Sequence, residues 1–581
     1  MKRVRTASRT LRLGLAVALA VIALVAALPA IAPNPVPASA PESNFSAQRA
    51  MEDLRVVARE PHPMGSAAQA RVRDYILAQA DAFGLPAEVQ RAEVAGGRTT
   101  ENVVVRLPGM ANSARDVLIA AHYDSATSAP GAGDAGVSVV AMLETMRALE
   151  AGEPLKNDIV FLFTDGEEQG VLGAKAFVNG HPAAQRVGVA FVFDSEPDSG
   201  PTEMQKTSPG DAWLVGQLVA ASPPVYTNSA YNTSDRARLG NDFSAFPPAG
   251  ILSAEFLTHG GVVRYHTSRD TVGAINPAVV QDHGDTMLSL ARHFGNLDLG
   301  AARSASEDLV FFTVPMLGLV AYPVWFARVL AVVAAVLFAA VIVAARRRGR
   351  LSLARLGLGA LASLAVVVVG VTLAWAAWEQ LLSMHPESSS TLHFPDFEGS
   401  GVAMAAIYAV AVVAFVAVAH LLSRPIGGVE LAAGALVWWV VLDLAIAFFE
   451  PLFSTLTLWP LFGGVAALAV VVLFLRRGWA AGVLLALAAV PGPVLVVPLL
   501  VIKAIKVEDG ALLPVVLLLL LLGSLLLQLL LITGRVAPKA EDSTRSVSGA
   551  DGRTEDTSVR TDPPPSGRMP RLSGDARSRD A

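Results

Sequence analysis

"DVLIAAHYDSATSAPGAGDAG", residues 116–136, sets an apolar run directly before a histidine and two aspartates, then breaks into glycines. Past its first aspartate the run has no polar alternation, as a strand covered on both faces of a sheet requires. Runs of the same kind recur at "ENVVVRL" (101–107), "DIVFLFT" (158–164), "VGVAFVF" (187–193) and "GILSAEF" (250–256), with helical patterns over 67–83, 137–151 and 278–294. The alternation predicts an α/β domain: a mixed, mostly parallel sheet with helices on both faces. In such folds ligands bind beyond the carboxyl ends of the strands.

The residues that follow the runs are therefore the candidates: His122 and Asp124; Asp165, Glu167 and Glu168; Asp194; His259 and His266. Carboxylates crowded on one sheet edge repel and take up protons unless something neutralises them, and divalent cations do so. The chain has no cysteine. A metal must therefore be held by His, Asp and Glu. Gly131, Gly133 and Gly136 match a dinucleotide-binding G-x-G-x-x-G, but about ten residues separate the strand from the first glycine, where that fold needs a tight turn. Taken singly, each motif has a bland reading: His122 as a core histidine, "DGEE" (165–168) as a solvated turn, "FDSEPDSG" (193–200) as a loop, and Asp270 with Thr271 as caps of the next helix. Their shared place behind strands of one sheet favours a common site.

Composition divides the 581 residues, 53% hydrophobic and 16% charged, into two parts. Residues 45–300 read as a soluble domain; 309–534 are nearly continuous apolar segments. Residues 13–32 follow a basic start (1–12) and are long enough to cross a bilayer at about 20 residues, with a cleaved signal peptide as the rival reading. Seven further spans are expected near 326–345, 356–378, 401–422, 428–449, 454–475, 479–502 and 511–534, a membrane domain over 326–534. Arg346, Arg347, Arg348, Arg350, Arg355, Arg424, Arg476, Arg477 and Arg535 fall on alternate connections, against which only Lys503 and Lys506 count. The positive-inside rule then puts both termini in the cytoplasm and the α/β domain outside it. The polar tail, 536–581, is expected to be disordered. Asp443, inside a span, reads as an acid held by a neighbouring helix's donor. A net charge of -5 with no basic patch argues against nucleic acid as a partner.

"HYDS", "PGAGDAGVSV", "FTDGEEQGVLGAKAF", "FDSEPDSGP" and "RYHTSRDT", in that order, resemble the M28 zinc metallopeptidases. Upstream "REPHPMGSAAQARVRDYI" and the trailing spans look like the membrane-bound branch of that family. The resemblance covers roughly residues 50–300 and implies a zinc-aminopeptidase-like fold. It implies two Zn²⁺ per chain bridged by Asp134, with His122 and Asp194 completing one site and Glu168 and His266 the other. Glu167 would be the general base for a metal-bridging hydroxide, Asp124 the residue orienting His122, and Tyr265 a polariser of the scissile carbonyl. Glu196 and Asp198 are alternatives to Asp194, and Ala135 departs from the Asn or Asp many relatives carry there. Two dications against three carboxylates and a hydroxide leave a neutral core, and three protein ligands per metal suit catalytic zinc. The implied partners are a peptide substrate and the lipid bilayer. Rival functions are a non-catalytic receptor or scaffold, glutaminyl-cyclase-like amide chemistry, and a transporter with an appended domain.

Overall fold

The computed structural model describes residues 33–94, 96–111, 113–197, 200–234, 240–260, 264–302, 307–385, 400–474 and 478–506, together with Leu24 and Leu521. The expected first span (13–32, save Leu24), the last one (511–534, save Leu521) and the tail lie outside the described residues.

An eight-stranded sheet forms the α/β domain: β1 Ala87–Val94, β2 Arg98–Leu107, β3 Asp116–His122, β4 Ile159–Thr164, β5 Val187–Pro197, β6 Glu203–Thr207, β7 Tyr226–Thr227 and β8 Leu252–Gly260, in the order β1-β2-β4-β3-β5-β8-β6-β7. The centre, β4-β3-β5-β8, is parallel, and β1, β2 and β6 join antiparallel. Every residue of β3 and β4 is buried, which is why both read as unbroken apolar runs. Alternate side chains go to opposite faces. Val117, Ile119 and Ala121 join Phe161 and Phe191 in one core, against helices α1 Ala47–Val57, α2 Ala67–Ala82 and α3 Val137–Glu150. Leu118, Ala120, Leu162 and Val192 face the other way, onto Phe177 of α4 Leu172–Gly180 and onto Phe243 and Phe246. Helices α5 Ala212–Ala221 and α6 Pro277–Phe294 complete the first layer. The mixed, mostly parallel sheet with helices on both faces agrees with the reading of the sequence. It adds β1, whose residues "AEVQRAEV" are half exposed and so carry no apolar run. A hairpin of β9 Leu309–Val314 and β10 Gly318–Pro323 leads into the membrane part.

Among the described residues, five helical segments are long and apolar enough to cross a membrane, starting with α7 Val324–Arg347, α8 Leu353–Ser383, α9 Ser400–Ile426 and α10 Gly428–Phe449. The fifth combines a 3-10 turn, Pro451–Leu456, with α11 Leu458–Phe474. The expected span 479–502 is divided between two helices, α12 Gly478–Ala488 and α13 Pro491–Lys506, of 11 and 16 residues. Pro491 lacks the N–H that would continue α12 and instead opens α13 at its first position. Asp443, fully buried on α10, accepts from the Thr457 hydroxyl at 2.7 Å, a donor from the start of the next helix.

The two parts meet through buried polar contacts. Ser229 Oγ donates to the Leu452 carbonyl and Thr455 Oγ1 to Asn228 Oδ1, each at 2.7 Å. Val310, Phe312, Tyr322, Leu452 and Leu495 close an apolar seam beside them.

Candidate metal centre

The centre begins where β3 stops. His122 is its last residue, opposite Thr164 of β4, and Asp194 on neighbouring β5 pairs with Leu257 of β8. The chain must then return twelve residues later to bring Asp134 beside His122. Gly131 makes that return feasible: its φ is +71°, and a Cβ there would lie 2.8 Å from Ser125 Cβ and 2.9 Å from the Asp134 carbonyl.

His122 Nε2 lies 3.1 Å from Asp134 Oδ1 and 3.5 Å from Asp194 Oδ1. The other oxygen of the same carboxylate, Asp134 Oδ2, lies 3.0 Å from His266 Nε2, which is also 3.0 Å from Glu168 Oε2. Asp134 thus belongs to two donor sets, His122–Asp134–Asp194 and Asp134–Glu168–His266, each with its ligand atoms within 4.8 Å of one another. Asp134 Oδ2, Glu168 Oε1 and His266 Nε2 are buried and make no hydrogen bond among the described residues. His266 Nε2 approaches its carboxylates without hydrogen-bond geometry, as ligands do when they converge on a cation, whereas His122 Nε2 keeps a hydrogen bond to Asp134 Oδ1. Two imidazoles, three carboxylates and no thiolate fit zinc.

Residues 102–291 match the profile of peptidase family M28. These residues belong to that family. Endoplasmic reticulum metallopeptidase 1 of Mus musculus is 31% identical over 234 residues, which is 38% of this chain and 26% of that protein. The vacuolar membrane protease of Yarrowia lipolytica is 28% identical over 305 residues, 46% of this chain and 30% of that protein. The chain therefore spans between a quarter and a third of the length of these curated relatives. Among solved structures, BSAP, a zinc aminopeptidase from Bacillus subtilis, superposes with a TM-score of 0.38 at 16% identity, covering 45% of this chain and 98% of its own. Porphyromonas gingivalis glutaminyl cyclase gives 0.36 at 22% identity, covering 42% and 96%.

Within the M28 domain, Asp124 differs in detail from the expected orienter. His122 Nδ1 donates to the backbone carbonyl of Asp124 at 2.9 Å, while the Asp124 carboxylate stands 3.7 Å from that nitrogen. The carboxylate instead accepts the backbone N–H groups of Glu167 at 3.1 Å and Glu168 at 3.3 Å. One residue thus aims the imidazole with its main chain and holds the Glu167–Glu168 turn with its side chain. Tyr265 lays its ring on that of His266, centroids 3.9 Å apart.

Charges in this cluster depend on one another. Burial opposes a proton on His122, yet Asp124, Asp134 and Asp194 outweigh it and raise the imidazole well above its usual range. At His266 burial is likewise overcome, by Asp134 and Glu168, and the pKa is raised to about 10. Burial and Asp134 lift Glu168 to about 7. Burial lifts Glu167 well above the carboxylate range, with Asp194, Asp242 and Asp134 adding to it and His122 opposing. Without a cation, protons hold the cluster together.

One candidate lies elsewhere. Asp165 turns away from the cluster, accepting from Gln69 Nε2 and, at 2.7 Å, from the Glu101 N–H. The side chains of His259 and Glu196, which oppose each other across β5 and β8, and all of Asp198 fall outside the described residues.

Two further acids matter. Asp270 is tied to the site, against the bland reading of it as a helix cap: its carboxylate accepts the N–H groups of Gly133 at 2.6 Å and Asp134 at 3.2 Å. Thr271, read with it as a cap, makes no side-chain bond at the start of the 3-10 turn Val272–Ala274. Asp242, buried, accepts from the Thr164 hydroxyl beside His122. Asp270 had a signal, since it sits in the His266 motif; Asp242 had none.

Proposed function

We propose that this chain is a membrane-anchored zinc peptidase, an aminopeptidase with two Zn²⁺ per chain, whose M28 domain stands on the extracytoplasmic side with both termini cytoplasmic. One observation carries the reading: a single carboxylate, Asp134, offers one oxygen to each of two three-donor sets. His122, Asp134 and Asp194 would hold one ion, and Asp134, Glu168 and His266 the other. Bound zinc supplies Lewis acidity, polarising a carbonyl and lowering the pKa of water to about 7.

The chain's own groups manage the proton. Glu167, with its backbone fixed on Asp124, receives a proton at its carboxylate as water adds to the scissile carbonyl carbon. Breaking the C–N bond makes the amine basic, and Glu167 returns that proton to nitrogen. Tyr265, beside His266, is assigned to steady the carbonyl oxygen. The arginines that end α7, Arg346 and Arg347, and Arg424 near the end of α9 support the orientation.

The test uses full-length protein in detergent with aminoacyl chromogenic substrates, free and N-acetylated, and Glu167→Gln for comparison. Only free amines should be cleaved, with the variant about 10²–10⁴-fold slower. Equal rates in variant and wild type would end the catalytic assignment. Cleavage of the acetylated substrate would end the aminopeptidase one. Loss of ammonia from amino-terminal glutamine would point to cyclase chemistry instead.

A further inference from the structure

On the sheet face away from Asp242, a chain of buried side chains runs from α6 to the Asp134 loop. Thr202, His283, Ser138 and Ser195 all have no exposed surface. His283 of α6 approaches Thr202 Oγ1 through Nδ1 at 3.2 Å and Ser138 Oγ of α3 through Nε2 at 2.9 Å. Ser138 Oγ reaches Ser195 Oγ at 3.2 Å, and Ser195 Oγ reaches the carbonyl oxygen of Gly133.

The direction of this chain is forced from its far end. A carbonyl oxygen only accepts, and a hydroxyl has one proton. Ser195 must therefore donate to Gly133, so its oxygen accepts from Ser138. The Ser138 proton is thereby used, so Ser138 must accept from His283 Nε2–H. Nδ1 is left as the acceptor for the Thr202 hydroxyl. Only the neutral imidazole with its proton on Nε2 satisfies all four bonds. Burial favours that form, pushing the ring down to about 3, and the edge-to-face contact with Phe193, centroids 5.0 Å apart, keeps its plane.

The two ends of the relay are informative. Ser195 follows Asp194 and donates its own N–H to Asp194 Oδ1 at 2.8 Å, while Gly133 precedes Asp134. The Ser195–Gly133 bond is thus a crosstie between the strand that carries one ligand and the loop that carries another. We infer that His283 is a positioning residue: through Ser138 and Ser195 it fixes the separation of Asp194 from Asp134 and so the span of the His122–Asp134–Asp194 set. This rests on the two-metal reading above. The other set is spared, because among the described residues Glu168 and His266 show no link to the relay and the Asp134 backbone is separately held by Asp270.

Full-length protein stripped of metal is titrated with Co²⁺, and the absorption spectrum and affinity are followed for each equivalent. In His283→Leu and Ser195→Ala, one equivalent should bind about 10- to 100-fold more weakly with an altered spectrum, while the other keeps wild-type values. His283→Gln, whose amide can donate to Ser138, should recover most of the loss. Wild-type affinity for both equivalents in Ser195→Ala overturns the proposal, as does an equal weakening of both. If His283→Leu fails to fold, Ser195→Ala decides alone by the same criteria. A wild-type protein that takes up fewer than two equivalents contradicts the underlying two-metal reading rather than the relay.

Discussion

Asp270 holds Asp134 by its backbone: the carboxylate accepts the N–H of Asp134 at 3.2 Å and that of Gly133 at 2.6 Å, fixing the loop that faces both donor sets. Asp270→Ala strands these buried N–H groups, at a cost of about 1–3 kcal/mol each. The variant should melt lower and bind less zinc, read by thermal unfolding and by metal analysis of the same samples. Unchanged zinc content would contradict the role.

Asp124 joins the His122 imidazole to the Glu167–Glu168 turn. Asp124→Ala keeps the backbone carbonyl that receives His122 Nδ1 but removes the acceptor of the Glu167 and Glu168 N–H groups. We expect kcat to fall about 10- to 100-fold, with a smaller change in KM. A loss confined to KM would show that Glu167 is positioned otherwise.

Gly131→Ala tests the return of the loop. The residue's φ of +71° and its approach to Ser125 and the Asp134 carbonyl leave no room for a methyl group. Left-handed backbone alone costs a side chain about 1–3 kcal/mol. Reduced zinc affinity with the sheet intact by circular dichroism is the expected result; wild-type affinity would contradict it.

The metal-free protein should lose stability as pH rises. His266 has a folded pKa of about 10, above its unfolded value of about 6.5, so its contribution is complete below about 6.5 and gone near 10. Glu168, raised to about 7, keeps a proton that the unfolded chain sheds near 4.5, so its contribution also falls as pH rises, between those values. Both signs agree. Melting of chelated protein should drop from pH 7 to pH 9, above the range in which buried His283, pushed down to about 3, adds stability as pH rises, whereas zinc-loaded protein should not follow, because cations displace these protons. A chelated protein that melts higher at pH 9 than at pH 7 would contradict the proton inventory of the cluster.

Much of this arrangement is legible in the chain. Strands β3, β4 and β5 announce themselves because burial on both faces leaves unbroken apolar runs, and the donors stand out because each follows a strand or its loop. Strand β1 is silent, since its polar residues alternate with a half-exposed face. The position of Asp270 shows in the His266 motif but its role does not, because an aspartate before a threonine reads locally as a cap, while its partners lie 137 and 136 residues away. The break at Pro491 was visible in "VPGPV" (490–494) but masked by the apolar count around it. The relay from His283 is beyond sequence reading, because its members come from two helices, a strand and two loops.

The central claim is that Asp134 serves two cations at once. Metal analysis of the purified full-length protein tests it most directly, beside His266→Ala and Asp134→Ala. The account predicts two zinc ions per chain in the wild type, one in His266→Ala and none firmly held in Asp134→Ala. A wild type with a single zinc that persists in Asp134→Ala would contradict it.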